Sequence, residues 1–317
     1  MSSLIRKAFG ILLILTALAI GLTRYDDRPV ETLIPRWAQP PSEFIQVREQ
    51  IVHLRDVGPR NDPLPIVLVH GTGASLHTWE AWVQALKGQR RVITFDLPGF
   101  GLTGPFTGSY ATAGYRGDNY ARFVVDLLDH LKLPTVVIGG NSLGGEVAWR
   151  TAVLAPQRVG KLILVDASGP RFVPESIPPG FALALVPGVN RLGEYLLPRP
   201  MVRATVESVF GDKTKVTDEL VDRYFDITLR EGNRRAMGER IRVVQEDLQP
   251  ELISKVTQPT LILWGENDRL IPLSTATVFQ QAIAGSQLVV LPGLGHVPQE
   301  EDPAASVAPV KAFLGLR

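Results

Sequence analysis

A serine, then an acid, then a histidine occur along this chain, the residue types that acyl-transfer chemistry uses together. Gly140-Asn141-Ser142-Leu143-Gly144 fits the pattern G-x-S-x-G. In that pattern the serine stands exposed on a tight, strained strand-to-helix turn. Glycine flanks it because side chains there would collide with the neighbouring strand and helix. The competing reading makes Ser142 only the N-cap of the next helix, a common role for serine. An apolar run before the motif (Val136–Ile138) and a helical pattern after it favour the nucleophile.

A serine hydroxyl is a weak nucleophile until a base takes its proton, and the base needs a carboxylate to orient it. Of the five histidines, His53, His70, His77, His130 and His296, only His296 follows Ser142. It sits in "LPGLGHVPQEEDP", just past the last apolar run, and is the expected base. Asp268, in the turn "ENDRLIP" after "PTLILWG", is the preferred acid. Asp166, closing "KLILVDASG", is a second candidate, and Glu266 is a weaker third. Both aspartates follow apolar runs, and open α/β sheets place their sites at the carboxyl ends of strands. Asp166 also suits a simple turn role. "IVLVHGTGASLHTW" supplies a glycine-rich loop after a strand. Backbone N–H groups there, that of Thr72 foremost, would join the N–H of Leu143 as an oxyanion hole. Losing one such donor raises a barrier by about 3 kcal/mol. His70 is expected to hold this loop by hydrogen bonds.

These residues need a scaffold. "QIVHLRDV" (50–57) alternates apolar and polar residues like a half-buried edge strand, with a partner near Phe44–Arg48. Ile66–Val69, Val92–Phe95, Val136–Ile138 and Leu162–Val165 are continuous apolar runs, and Thr260–Trp264 and Leu288–Leu291 follow later. Non-alternating runs rich in Val and Ile suit parallel strands buried on both faces. Helical patterns fall at Thr78–Leu86, Asp118–Leu131 and after Ser142, Pro272 and Asp302. This alternation predicts an α/β fold, a mostly parallel sheet with helices on both faces. About ninety residues between Asp166 and Thr260 break it. They start proline-rich and continue with amphipathic helices around Thr217–Leu229 and Arg234–Leu248, a helical cap. Its apolar residues Phe181, Leu183, Leu185, Val186, Leu196 and Leu197 either line a pocket or pack the cap. The expected organisation is 43–169 with 251–317 as core and 170–250 as cap.

Composition removes several function classes. The 317 residues carry a net charge of +1, so nothing points to nucleic acid. Without cysteine there is no disulfide, thiolate metal site or cysteine nucleophile. "GFGLTG" matches a dinucleotide fingerprint in letters, but "PFTGSYATAGY" after it is too rich in Gly, Pro and Thr to open a helix. "GGNSLGGE" lacks the lysine of a phosphate-binding loop. No clustered metal-ligand pattern occurs, so neither metal nor cofactor is expected.

The N-terminus reads differently. Arg6 and Lys7 precede the uncharged run 8–23, "AFGILLILTALAIGLT", either a secretory signal or a membrane anchor. Sixteen helical residues reach about 24 Å, slightly short of a bilayer core, though Leu4 and Ile5 extend the run. The length favours an uncleaved anchor over residues 4–23, with the rest of the chain outside the cytoplasm; export after cleavage is the alternative. Residues 24–42 hold four prolines and mixed charge and are expected to be an irregular linker. Tyr25 and Trp37 there suit a membrane interface or an exposed loop.

From about Phe44 onward the chain resembles the α/β-hydrolase superfamily in its serine-hydrolase, esterase/lipase-like branch. The matching stretches are "HGTG" (70–73), "DLPGFG" (96–101), "GNSLGG" (140–145), "GENDRLIP" (265–272) and "GHVPQEE" (295–301). The resemblance implies an eight-stranded sheet, a cap inserted after strand six, and a triad of Ser142, Asp268 and His296. Haloalkane dehalogenases and epoxide hydrolases of this fold use an aspartate where this chain has Ser142. Ring-cleavage-product hydrolases also use serine, often within G-N-S-x-G-G. They commonly show a Trp after the histidine and "GPG" after "HG", where this chain has Val297 and "HGTGAS". Arg234 or Arg235 would be the cap residues to bind an acidic substrate. The expected reaction is hydrolysis of a small-molecule carboxylic ester through an acyl-enzyme. Carbon–carbon bond hydrolysis and acyl transfer with the same triad are the alternatives.

Overall fold

The computed structural model describes residues 24–186, 193–244 and 246–317, with Ile5, Lys7, Phe9, Gly10, Ile11 and Gly21 before them. The expected signal or anchor therefore lies almost wholly outside the described residues. Among those residues no helix is long and apolar enough to cross a membrane.

Eight strands form one sheet: β1 (Ser42–Val47), β2 (Gln50–Val57), β3 (Ile66–Val69), β4 (Val92–Phe95), β5 (Val136–Asn141), β6 (Val159–Val165), β7 (Thr260–Gly265) and β8 (Gln287–Leu291). Their spatial order is β1-β2-β4-β3-β5-β6-β7-β8. β1 and β2 pair antiparallel, β2 joins β4 antiparallel, and every later pairing is parallel. The expected mostly parallel sheet is therefore present. β3, β4, β5 and β7 are buried along their whole length, as their unbroken apolar runs require.

Helices cover both faces. On one side Phe123, Tyr120, Trp149, Trp264 and Phe279 pack with Val67, Ile138 and Leu164. On the other, Trp79, Trp82 and Leu86 pack with Val307 and Val310 over Leu68 and Val137. Completely burying a side chain such as Leu86 contributes about 2 kcal/mol. Asp302 accepts from the Ala305 N–H and starts the last helix, Pro303–Leu314. The register aligns Val69 with Gly140 and Gly140 with Leu164, so β3, β5 and β6 end at one edge.

Among the described residues four α-helices lie between β6 and β7, Pro179–Leu185, Arg199–Glu207, Asp218–Thr228 and Asn233–Val243. The third is capped by Thr217, whose side chain accepts from the Leu220 N–H. The second and third share an apolar cluster that includes Val202, Val206, Val221 and Phe225, with Leu229 beside them. Arg240 ties this insert to the core through Glu146 at 2.5 Å and Asp247 at 3.4 Å.

The stretch expected to be an irregular linker is different. Val30–Trp37 is a helix in spite of Pro35 inside it. Long-range contacts outweigh local propensity here. Asp226 of the insert accepts from Arg28 at 2.7 Å, Arg36 at 3.1 Å and Trp37 Nε1 at 3.0 Å. Asp27 accepts from Arg234 and from the Gly232 N–H. Trp37 is 8% exposed, so it sits neither at a membrane interface nor in an exposed loop. Tyr25 stacks edge-on against Phe225 at 5.0 Å.

Candidate active site

Ser142 joins β5 to the helix Leu143–Leu154 with φ 56° and ψ −119°. That region is strained for a side-chain-bearing residue, at a cost of about 1–3 kcal/mol. Its side chain makes no capping hydrogen bond, so the bland reading of a capping serine is absent. The glycines have a steric reason. A Cβ at Gly140 would stand 2.1 Å from the Gly144 carbonyl oxygen, and one at Gly144 would stand 2.0 Å from that of Val69. Strand, elbow and helix approach backbone to backbone, and the serine is left half-buried at the top of the sheet.

His296 lies in the loop after β8, with Nδ1 2.6 Å from Asp268 Oδ2. Asp268 Oδ1 accepts from the N–H groups of Leu270 at 2.8 Å and Ile271 at 2.9 Å, which fixes its carboxylate in the turn after β7. Both side chains are buried, His296 4% and Asp268 3% exposed. The His296 backbone is held at both ends. Its N–H donates to Val209 at 2.8 Å, and its carbonyl accepts from Asn141 Nδ2 at 2.9 Å. Asn141, beside Ser142, thus connects the elbow to the histidine loop. Sequence reasoning missed it, although its place inside the motif was a signal.

Ser142 and His296 line one chamber, with Gly71, Thr72, Val206, Val209, Tyr224 and Val297 among its walls. Ser142, Leu143 and Thr72 also line a second, walled by Phe172, Ile177, Leu185, Ile241 and Val244. Phe181 and Leu270 face both. Ser142 therefore stands where two apolar chambers meet. Among the described residues, neither the Thr72 nor the Leu143 N–H donates to another loop or side chain. Of the apolar cap residues singled out above, Phe181, Leu185 and Leu197 line chambers and Val186 is exposed.

A model of the alpha/beta hydrolase family matches residues 66–310. The chain belongs to this family. It is 31% identical over 271 residues to 2-hydroxy-6-oxo-2,4-heptadienoate hydrolase of Pseudomonas putida, covering 83% of this chain and 92% of that one. Among solved structures it is similar to a meta-cleavage product hydrolase from Pseudomonas fluorescens, with TM-score 0.73, 26% identity, 86% of this chain and 97% of that chain. A bacterial membrane phospholipase A shares the fold at TM-score 0.73 and 22% identity, over 98% of this chain and 95% of that chain.

The other two candidate acids of this alpha/beta hydrolase make no hydrogen bond to His296, each in a distinct setting. Asp166 is wholly buried with φ 45°, and its Oδ1 accepts from the Gly265 N–H at 2.9 Å while Oδ2 has no partner. Burial, and after it the Asp268 charge, push its carboxyl well above the usual carboxylate range. Glu266 is exposed and accepts from the Gly293 N–H. Ligand atoms of Asp166, Asp268 and His296 lie within 4.8 Å of one another, close enough for a cation. Asp268 already uses one oxygen for two N–H groups and the other for His296. A cation would have to break that 2.6 Å bond, so the donor set fits a proton relay better.

His70 Nε2 accepts from the Leu97 N–H at 2.9 Å, leaving Nδ1–H for the Gly71 carbonyl at 2.8 Å. It holds the loop that carries Thr72, and burial lowers its basicity. Arg234 is engaged by Asp27, and Arg235 pairs with Glu239 on the surface. Neither lines the two chambers.

Proposed function

We propose that this alpha/beta hydrolase cleaves neutral carboxylic esters through an acyl-enzyme on Ser142. The observation that carries the reading is the placement of Ser142 between two apolar chambers in whose lining, among the described residues, Arg240 is the one cationic arginine or lysine side chain. That guanidinium is engaged by Glu146, Asp247 and the Tyr115 carbonyl. A substrate carboxylate would therefore enter without a charge partner, at a desolvation cost of several kcal/mol.

The chemistry follows from the geometry. His296 Nε2 takes the Ser142 proton as Oγ attacks the ester carbonyl, and Asp268 keeps the proton on Nδ1 and steadies the imidazolium. The Thr72 and Leu143 N–H groups receive the oxyanion. The alcohol leaves with the proton from His296. Water, deprotonated by the same base, releases the acid. A panel of aryl and alkyl esters against vinylogous diketones tests this on the purified protein. Ester turnover that vanishes in Ser142→Ala is expected. Turnover of the diketones alone would sink the ester reading.

Carbon–carbon bond hydrolysis is the second reading, supported by the 31% identity to the heptadienoate hydrolase. Acyl transfer is a third. Adding an alcohol and recovering a new ester in place of the acid would favour it.

We also propose that residues 4–23 hold the chain at a membrane with the hydrolase domain outside the cytoplasm. The apolar run and its basic flank support this, as does the way residue 24 continues. Arg24 bridges to Leu196 and the Tyr25 N–H donates to Tyr195, on the same insert that exposes Ile177, Leu185 and Val186. Fractionating cells that express the chain with and without residues 1–23 tests it. Full-length protein in the soluble fraction would refute it.

A further inference from the structure

"GHVPQEE" ends in two glutamates that the triad does not use. Both reach the helical insert. The Glu301 carboxylate, 4% exposed, accepts three backbone N–H groups: Gly211 at 2.9 Å, Asp212 at 2.8 Å and Gly295 at 2.8 Å. The first two belong to the insert, and the third directly precedes His296. Bonds to a charged acceptor are about twice as strong as neutral ones. Glu300 accepts from Arg223 at 2.6 Å and from the Tyr224 hydroxyl at 3.0 Å.

The backbones themselves are in contact. A Cβ on Gly211 would lie 2.2 Å from the Gly293 carbonyl oxygen, and one on Gly295 would lie 2.5 Å from the Gly211 nitrogen. The His296 N–H donates to Val209 across the same junction. Val209 and Tyr224 also line the chamber that His296 faces. One wall of that chamber and the seat of the histidine are thus built as one unit.

We propose that Glu301, assisted by Glu300, is a positioning residue that couples this wall to His296. An apolar group filling the chamber is then felt in the turnover step, as well as in binding. The proposal rests on the ester-hydrolase reading. A chain packed against Val206, Val209 and Tyr224 presses on the turn that fixes the His296 backbone. Energy from a remote part of the substrate is then expressed in kcat.

The test compares wild type, Glu301→Gln and Gly211→Ala. The first keeps the size of the side chain but turns an amide NH2 toward N–H donors. The second leaves the Glu301 carboxylate in the chain and adds a methyl group that forces the two backbones apart, 3.1 Å from Glu301 Oε1. The readouts are kcat and KM on esters lengthened first on the acyl side and then on the alcohol side, with melting temperature alongside. In wild type, kcat rises with length in one of the two series. Both variants lose about tenfold or more in kcat on the long esters of that series, keep KM within about threefold, and fall much less on the shortest ester.

A wild-type kcat independent of length, a loss equal at every length, or a loss confined to KM or to melting temperature overturns the proposal. If Glu301→Gln does not fold, Glu300→Gln is judged by the same criterion. Fluorophosphonates of short and long alkyl chain separate the two levels. Labelling of Ser142 without ester turnover refutes the ester reading, while the chain-length dependence of labelling still decides the role of Glu301.

Discussion

The molecule contains two Ser–His–Asp chains, and by distance alone the one far from the chambers is the better formed. His53 Nδ1 lies 2.6 Å from Asp96 Oδ2, and its Nε2 lies 2.9 Å from Ser42 Oγ. At the elbow, His296 and Asp268 are equally close, at 2.6 Å, yet the Ser142 hydroxyl makes no hydrogen bond among the described residues. What separates them is everything around the relay. Ser42 is part of the edge strand β1, and its oxygen also accepts from Arg55 Nε at 2.9 Å. Asp96 accepts from the Leu76 and Leu102 N–H groups, both at 2.7 Å, and the Phe44 ring stacks on His53 at 5.0 Å. That triad fastens two loops to the sheet. Ser142 has a strained elbow, two unengaged N–H groups beside it and space for a substrate on both sides. Residue types and hydrogen bonds make a relay; exposure of the nucleophile and donors aimed at a vacant carbonyl position make a catalyst.

The largest expected contrast is at the serines. Ser142→Ala should lower kcat by about 10⁴-fold or more with the fold intact. A loss below tenfold would show that the chemistry lies elsewhere. The aspartates come next. Asp268→Asn disturbs the tautomer of His296 and should reduce kcat by about 10³–10⁴-fold. Asp96→Asn should instead lower stability by about 2–4 kcal/mol, because a buried amide NH2 then faces an N–H donor. Its kcat per folded molecule should stay within about fivefold of wild type. Denaturation and kinetics on the same samples separate the two, and a reversed pattern would break the comparison.

Asp166→Asn makes a smaller, pH-dependent difference. The folded carboxyl has its pKa raised by burial and by Asp268. Such a group contributes stability below the unfolded value of about 3.9, and that contribution is lost as pH rises toward the folded pKa. Asp96 is the opposite case. Burial alone would raise its pKa, but the His53, His70 and His77 partners hold it well below the usual range. Its contribution is present above about 3.9 and lost as pH falls. Asp166→Asn should therefore gain stability over wild type on going from pH 4 to 7, and a difference that shrinks over that range would contradict a protonated Asp166.

Much of the scaffold was legible because it rests on local rules. β2, β3 and β4 have the ends expected from pattern: alternation marks the half-buried β2, and the unbroken runs mark β3 and β4, buried on both faces. Thr78–Leu86 was less simple, a 3-10 turn Leu76–Trp79 leading into the helix Glu80–Leu86. At the site, chain order points to His296 but admits both Asp166 and Asp268; the hydrogen bond runs from His296 to Asp268, the preferred of the two. Glu300 and Glu301 were invisible as positioning groups because their partners in the insert, residues 211–212 and 223–224, lie far along the chain. So were the Val30–Trp37 helix and the triad at Ser42. Ser42 meets His53 only through the β1–β2 register, which sets Phe44 opposite His53 and Ser42 opposite Arg55.

The smallest expected effect tests that second relay most sharply. With His53 Nδ1–H donating to Asp96, Nε2 is left to accept from the Ser42 hydroxyl, whose oxygen accepts from Arg55. Ser42→Ala removes one donor and one acceptor from a half-buried network. That should destabilise the fold by about 1 kcal/mol, measured by urea denaturation. No chamber wall includes Ser42, so kcat and KM on any ester should be unchanged. A tenfold fall in kcat for the folded variant would mean that the edge-strand serine takes part in turnover. Geometry at the relay would then matter more than the elbow and its chambers, and the distinction between the two triads would fail.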